Sequence, residues 1–337
     1  MRVMVTGATG FVGWAVVRAL LRARMCRGVD EVVCLVRHSS DVSRLNGDQR
    51  ARLRLVQGDL GDVASLERAM DGCAQVYHVA AFYSTDPGDE ARMMRANVEG
   101  TANVLRAART VGVARVVHTS TIGTIGRPNG DTLPTERDQI ADLSRASAYA
   151  RSKIEAERLA LDAARQGLPV VVVNPCAPVG MGDVTPSSTG QRILDYLRGR
   201  TPSFLAGGIN FCSVEDIAAG HLLAAERGRI GQRYILGHSA GNLSLDDFYA
   251  LMQRVTRQPP PGNGRGHPLG RVRRALVSRV RGRSAPPPPS GFQPPTLTAN
   301  PCLAIRELGL PQTPLSVAFG QAVAWFRENG YVKGGRA

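Results

Sequence analysis

The first thirteen residues constrain the fold more tightly than any other stretch. Residues 2–6 (RVMVT) have strand character. Residues 6–13 (TGATGFVG) then place Gly7, Gly10 and Gly13 in a G-x-x-G-x-x-G loop that opens into an apolar run with helical spacing, Phe11 to Met25. A strand entering a helix through such a loop leaves the helix's free N–H groups and positive dipole end beside backbone that carries no side chain. That arrangement suits a pyrophosphate. Dinucleotide binding is therefore expected here, with Thr6, Gly7, Gly10, Phe11, Val12 and Gly13 as contacts.

The same strand–helix rhythm continues. Strands are expected at 31–37, 52–57, 75–80, 115–120 and 168–173, and helices at 62–71, 88–111 and about 143–166. Apolar strands alternating with helices indicate a parallel sheet covered on both faces. Beyond Asn174 the alternation loosens. Residues 175–190 read as a long loop, followed by a helix near 190–199, a strand near 209–214, a helix at 215–227, a strand at 232–236 and helices at 244–256 and about 314–329. The expected fold is α/β, a Rossmann-type doubly wound parallel sheet with a smaller C-terminal substrate lobe. The cofactor domain would take residues 1–174, joined by about 209–240. Residues 175–208 and 241–335 would form the substrate lobe.

Composition narrows the class. No apolar run in the 337 residues reaches the ~18 needed to span a membrane. The N-terminus lacks a cleavable leader pattern, so a soluble, cytoplasmic protein is expected. The six cysteines form no C-x-x-C pair and have no His at ligand spacing, which argues against a disulfide scaffold and against a metal site. The net charge is +14, and 40 of the 42 basic residues are Arg, with Lys only at 153 and 333. Residues 257–301 hold eight Arg, no Asp or Glu and 11 of the 21 prolines, so no single regular element is expected there. Within that stretch, 269–283 sets Val272, Leu276 and Val280 on one helical face among arginines. The pattern suits peripheral contact with an anionic membrane surface, although a solvated helix between linkers is the favoured reading. Nucleic-acid binding is not expected, because no recognition motif or interleaved aromatic residues accompany the charge.

The cofactor's second half is read at the end of the second strand. A carboxylate there grips a ribose 2′-hydroxyl and selects NAD. This chain has Arg37 instead, with Arg44 beyond. A guanidinium holds a 2′-phosphate through charge-assisted bonds of roughly 1.5–3 kcal/mol, so NADP is expected over NAD. Asp59 and Leu60, in the GDL after the third strand, would face the adenine. Ala80 and Ala81, after the fourth strand, would line the cofactor.

Tyr149 and Lys153 form Y-x-x-x-K on an expected helix, which puts both side chains on one face. A neighbouring ammonium favours tyrosinate and lowers the phenol's pKa from ~10. Tyr149 could then exchange a proton with an alcohol or alkoxide while hydride passes to or from a nicotinamide. Ser120 and Thr121, at the end of the fifth strand next to Thr119, are both candidates for the partner hydroxyl. Asn97, in the middle of a long helix, either anchors a water beside Lys153 or belongs to a solvated face.

At this point the chain resembles the extended short-chain dehydrogenase/reductase superfamily. The matching pieces are TGATGFVG at 6–13, GDL at 58–60, HVAA at 78–81, NVEGT at 97–101, HTST at 118–121, YARSK at 149–153 and NPCAPVG at 174–180. The later stretches 185–202 and 214–237 are similar to the hopanoid-associated sugar epimerases, which resemble dihydroflavonol 4-reductases and 3β-hydroxysteroid dehydrogenases in turn. The resemblance implies that the family's catalytic Ser falls on Thr121, with Tyr149 as acid/base and Lys153 as its activator and ribose ligand. It implies that Pro175, Ala177 and Val179 lie along the nicotinamide, and it suggests a homodimer through the helices at 88–111 and 143–166. The first reading is an NADP-dependent reductase or dehydrogenase acting on an apolar carbonyl or secondary alcohol, and the alternative is a sugar-nucleotide epimerase or dehydratase. A cofactor-sensing binder without turnover ranks last, because such chains typically lose the tyrosine or the lysine and both are present.

Overall fold

The computed structural model describes residues 1–22, 28–45, 52–84, 86–128, 130, 132–140, 143, 146–261 and 296–332. The expected contact segment 269–283 lies outside these residues.

Seven parallel strands form the main sheet: β1 (Arg2–Thr6), β2 (Glu31–Val36), β3 (Leu53–Gln57), β4 (Cys73–His78), β5 (Arg115–Thr119), β6 (Val170–Pro175) and β9 (Arg233–Leu236). Their spatial order is β3-β2-β1-β4-β5-β6-β9, so the winding reverses at β1, where ligands of such sheets sit. Consecutive strand residues feed opposite cores. Val3, Val5, Val117, Val171 and Val173 pack against α1 (Phe11–Arg22) and α7 (Val214–Arg227). Met4, Val116, Val170 and Val172 pack against α2 (Val63–Met70), α4 (Gly100–Val111) and α5 (Ala148–Arg165). Burial on both faces explains why these strands read as unbroken apolar runs.

The C-terminal lobe is built on a three-stranded sheet, β10 (Asn242–Leu243), β8 (Ile209–Ser213) and β7 (Ala177–Val179). Its core joins α6 (Ser188–Leu197), α8 (Leu245–Thr256) and the helix Leu315–Glu328 around Phe211, Phe248 and Phe319.

Three details depart from the sequence reading. Strand β8 belongs to the small sheet, so the return to the main sheet begins at α7 and not at 209. Phe211 of β8 feeds the small core and Cys212 feeds the α1–α7 core, which gives β8 the continuous apolar character of a main-sheet strand. Strand β7 interrupts the expected 175–190 loop, where Pro178 and the nearby glycines read as loop. The long 88–111 helix is interrupted as well. Between α3 (Glu90–Met94) and α4, residues Arg95–Glu99 form one turn of π-helix.

Candidate active site

The glycine loop is tight on its inner side and open on its outer side. A Cβ on Gly13 would lie 2.0 Å from the Gly7 carbonyl oxygen, and one on Gly7 would lie 2.7 Å from the Ala80 backbone. Gly7 also has φ +71°, in the left-handed region that favours glycine. A Cβ on Gly10 would meet only the Gly7 carbonyl oxygen, at 3.4 Å, and Gly10 is exposed. Two glycines therefore close the turn on β4, and the third leaves backbone open to an incoming group. The first turn of α1 carries no acidic residue, and among the described residues the N–H groups of Phe11 and Val12 have no partner. Such a cradle fits the pyrophosphate of a nicotinamide dinucleotide.

Thr6 is buried and turned away from this surface. The Ala80 N–H donates to Thr6 Oγ1 at 3.2 Å, and the Thr6 hydroxyl meets His78 Nδ1 at 2.8 Å. His78 Nε2 meets Thr101 Oγ1 at 3.0 Å, and that hydroxyl donates to the Asn97 carbonyl at 2.6 Å. Because Thr101 spends its proton on Asn97, His78 Nε2 must donate and Nδ1 must accept. One ordered chain thus runs from the glycine-loop floor to the π-turn, and it needs His78 neutral. Burial depresses the His78 pKa to about 3.

At the tip of β2, Arg37 is exposed, and among the described residues its guanidinium has no partner. Ser40 Oγ accepts from the Arg37 backbone N–H at 3.1 Å and closes the turn. Arg44 is engaged elsewhere. Its guanidinium is half-buried and donates to the Gly182 carbonyl, so it ties the loop after β7 to the β2 end. Asp59 is exposed, and its carboxylate accepts the Gly61 N–H at 2.8 Å. Leu60 packs beside Gly100. Ala81 is exposed next to Ala80. Pro175 ends β6 in the interior, and Ala177 is half-buried. Val179 is buried in the small-lobe core.

The N-terminus of α5 presents Tyr149, just after the Ser147 cap. One turn later Lys153 is buried, and its Nζ donates to the Thr119 carbonyl at 2.8 Å. The Thr119 side chain turns to the opposite face and donates to His221 Nε2 at 2.9 Å, since His221 Nδ1 must donate to the Ile217 carbonyl. Burial lowers the Lys153 pKa to about 8 against the opposing pull of Glu157. The Tyr149 pKa moves the other way from the sequence expectation, up to about 12, through burial and the neighbouring Tyr83. Desolvation of the phenolate is the larger of the two causes.

Ser120 and Thr121 separate in role. Ser120 is buried, with Oγ 3.2 Å from Thr124 Oγ1. Thr121 is only half-buried and accepts the Gly123 N–H at 3.2 Å. Behind it Thr124 Oγ1 lies 2.8 Å from the Thr121 carbonyl and 2.7 Å from Glu157 Oε2, two acceptors for its one proton, and Asn174 Nδ2 donates to the same carboxylate oxygen at 2.6 Å. Glu157 Oε1 pairs with Arg233 of β9 at 3.0 Å, deep in the protein. Sequence reading missed this network. Its only sequence signal is an acidic residue one turn after Lys153.

Asn97 is not part of a solvated face. It is buried, its Oδ1 accepts the Phe82 N–H at 2.7 Å, and its Nδ2 donates to the Phe82 carbonyl and Ser152 Oγ, both at 2.9 Å. The loop so held carries Tyr83, which sequence reading also missed. The Tyr83 ring meets Tyr149 edge-on, with centroids 4.9 Å apart and planes at 86°. On α6, Arg192 Nε donates to the Ser203 carbonyl at 2.8 Å, and its guanidinium lies over the Phe204 ring, 6.0 Å from the centroid. Arg198 instead ties to the Tyr331 carbonyl. Two clefts, of about 560 and 540 Å³, lie along the β9 side, lined in part by Glu157, Arg233, Arg137 and Arg306, and not beside Tyr149. Among the described residues no cluster could hold a metal ion, and no helix is long and apolar enough to cross a membrane.

The model of the NAD dependent epimerase/dehydratase family matches residues 3–237. A protein of Synechocystis sp., provisionally named dihydroflavonol 4-reductase, is 39% identical over 338 residues, covering 98% of this chain and 95% of that protein. Sterol demethylase protein B of Methylococcus capsulatus is 34% identical over 357 residues, covering 98% and 100%. The crystal structure of a dTDP-glucose 4,6-dehydratase from Streptomyces venezuelae, solved with NAD bound, superposes with a TM-score of 0.76 at 25% identity and 99% coverage of both chains.

Proposed function

The chain belongs to the NAD dependent epimerase/dehydratase family, and we propose that within it the chain is an NADP-dependent reductase that acts on the carbonyl of a mainly apolar substrate. The observation that carries this reading is Arg37, an exposed guanidinium at the β2 tip with no partner among the described residues, where an NAD-selective chain would present a carboxylate. Relatives named for reductase chemistry support the same direction.

When bound, the dinucleotide supplies the hydride. Gly7, Gly10, Gly13 and the start of α1 would hold its pyrophosphate, and Arg37 its 2′-phosphate. Tyr149, whose pKa is raised to about 12, stays protonated at neutral pH and serves as the acid that donates to the nascent alkoxide. Lys153 is charged below about pH 8 and is held at the Thr119 carbonyl, beneath the tyrosine. The half-exposed Thr121 hydroxyl, not the buried Ser120, would hydrogen-bond the substrate oxygen.

The first test is to denature freshly purified protein and identify any released dinucleotide by mass spectrometry, followed by an NADPH-consumption screen over carbonyl compounds. An empty chain, or one with substoichiometric NADP and carbonyl-dependent NADPH loss, agrees with the proposal. Stoichiometric NAD would favour a cofactor recycled in place and hence a sugar-nucleotide epimerase or dehydratase, a reading for which Arg192 on α6 is a candidate cation. Tyr149→Phe should lower turnover by roughly 10²–10⁴ with dinucleotide affinity nearly intact, and an undiminished rate would remove Tyr149 from the mechanism. Arg37→Asp should weaken NADPH binding about ten- to a hundredfold and spare NADH, whereas equal loss for both would make Arg37 a structural residue. The rate of reduction should fall above about pH 8 as Lys153 loses its proton, and a profile flat to pH 10 would contradict that role.

A further inference from the structure

We propose that Tyr83 is the platform on which the substrate's ring system lies, so that planar aromatic or polycyclic carbonyl compounds are the preferred substrate class. The inference rests on the reductase reading for the reaction, but not for the binding surface.

Among the described residues Tyr83 is the one exposed aromatic side chain, at 55% of its free surface. Aromatic rings elsewhere in the described chain are buried or half-buried. A single exposed ring is ordinary on a protein surface; its position is what points to a ligand. The ring is edge-on to Tyr149, so a carbonyl that reaches the Tyr149 hydroxyl carries its adjoining atoms past Tyr83.

The residue is also held, which an idle surface tyrosine would not be. Just before it, the N–H and C=O of Phe82 are both engaged by buried Asn97. Asn97 itself sits in the π-turn, a local departure that recurs at functional sites. The Phe82 ring lies 4.0 Å beneath the Arg92 guanidinium, a second restraint on the same residue. A rigid aromatic face that is exposed and adjacent to the proton donor recognises flat apolar surface by stacking.

The test compares wild type with Tyr83→Ala and Tyr83→Phe, using 2-acetylnaphthalene as the planar ketone and butan-2-one as the small one. Binding of 2-acetylnaphthalene to the NADP-saturated protein is measured by calorimetry, and turnover of both ketones with NADPH is measured separately. Wild type should bind the naphthyl ketone, Tyr83→Ala should weaken that binding about tenfold, and Tyr83→Phe should stay within about threefold. Butan-2-one kcat/KM should change less than about threefold in either variant. The platform is overturned by absence of naphthyl ketone binding in wild type. It is equally overturned by Tyr83→Ala binding within about twofold of wild type, or by equal losses for both ketones, which would mean that Tyr83 merely braces Tyr149. Binding without NADPH consumption would sink the reductase reading and leave the platform standing.

Discussion

Asn97 shows how much one side chain can settle. Its amide replaces two missing backbone partners of the Phe82 loop, so Asn97→Leu should strand a part-buried N–H and C=O and cost about 1–3 kcal/mol each. Thermal denaturation should register this as a Tm lowered by several degrees, and an unchanged Tm would show that the loop finds other partners. Glu157→Gln should be at least as damaging. It leaves Arg233 buried beside an uncharged amide, a loss on the order of 3–5 kcal/mol. Residues whose chemistry is local were legible in the sequence: the three glycines, Tyr149 and Lys153 stand where their spacing put them. The intramolecular ties of Thr6, Arg44 and Val179 were not legible. Side-chain direction at a strand end depends on which neighbour competes for the hydroxyl or guanidinium, and no spacing rule carries that. Tyr83 and Glu157 went unseen for the same reason, since their partners lie 66 and 76 residues away.

Among elements, β4 and β5 carry an unusual pair at their C-terminal ends. His78 and His118 are opposed in register, with ring centroids 5.4 Å apart, and both are fully buried. Among the described residues neither ring nitrogen of His118 has a hydrogen-bond partner. On α7, His221 is buried too, with its pKa lowered to about 4. In each case desolvation favours the neutral ring, so the folded pKa lies below the unfolded 6.5. Stability is therefore fully present above about pH 6.5 and is lost as the pH falls toward the folded pKa. At pH 5 the loss is about 2 kcal/mol for each such histidine. Urea titrations at pH 7 and pH 5 should show this drop, and His118→Phe should remove its share without loss at pH 7. An identical drop in that variant would clear His118 of the effect. The strands that hold these residues were readable from apolar runs, but β7, β10 and the helix Cys302–Leu308 were not. They are short, and tertiary packing decides them more than pattern does.

For the whole molecule, the two lobes share a wall. Strand β8 gives Phe211 to one core and Cys212 to the other, and Arg127 ties the strand bridge at Leu297 to the catalytic side through the carbonyls of Thr296 and Thr298. The lobes should therefore unfold together. The two tryptophans report one on each side, Trp14 on α1 and Trp325 in the final helix. Trp14→Phe and Trp325→Phe variants should give coincident denaturation midpoints by fluorescence, and two separated transitions would mean that the lobes are independent. The alternation of elements made the first lobe foreseeable, whereas the second was foreseeable only as a list of helices. Its sheet is assembled from segments far apart in the chain. The burial of Lys153 has a further use at this scale. With arginine supplying almost all of the positive charge, only Lys153 and Lys333 offer a side-chain amine. Lys153 is about half unprotonated near pH 8, the form in which an amine reacts. An amine-selective acylating reagent would pass over the arginines and meet few groups: the exposed N-terminus, Lys333 and, when the site opens to it, Lys153 at the centre. Dinucleotide should shield that centre, and the fraction shielded would count the intact sites in a preparation.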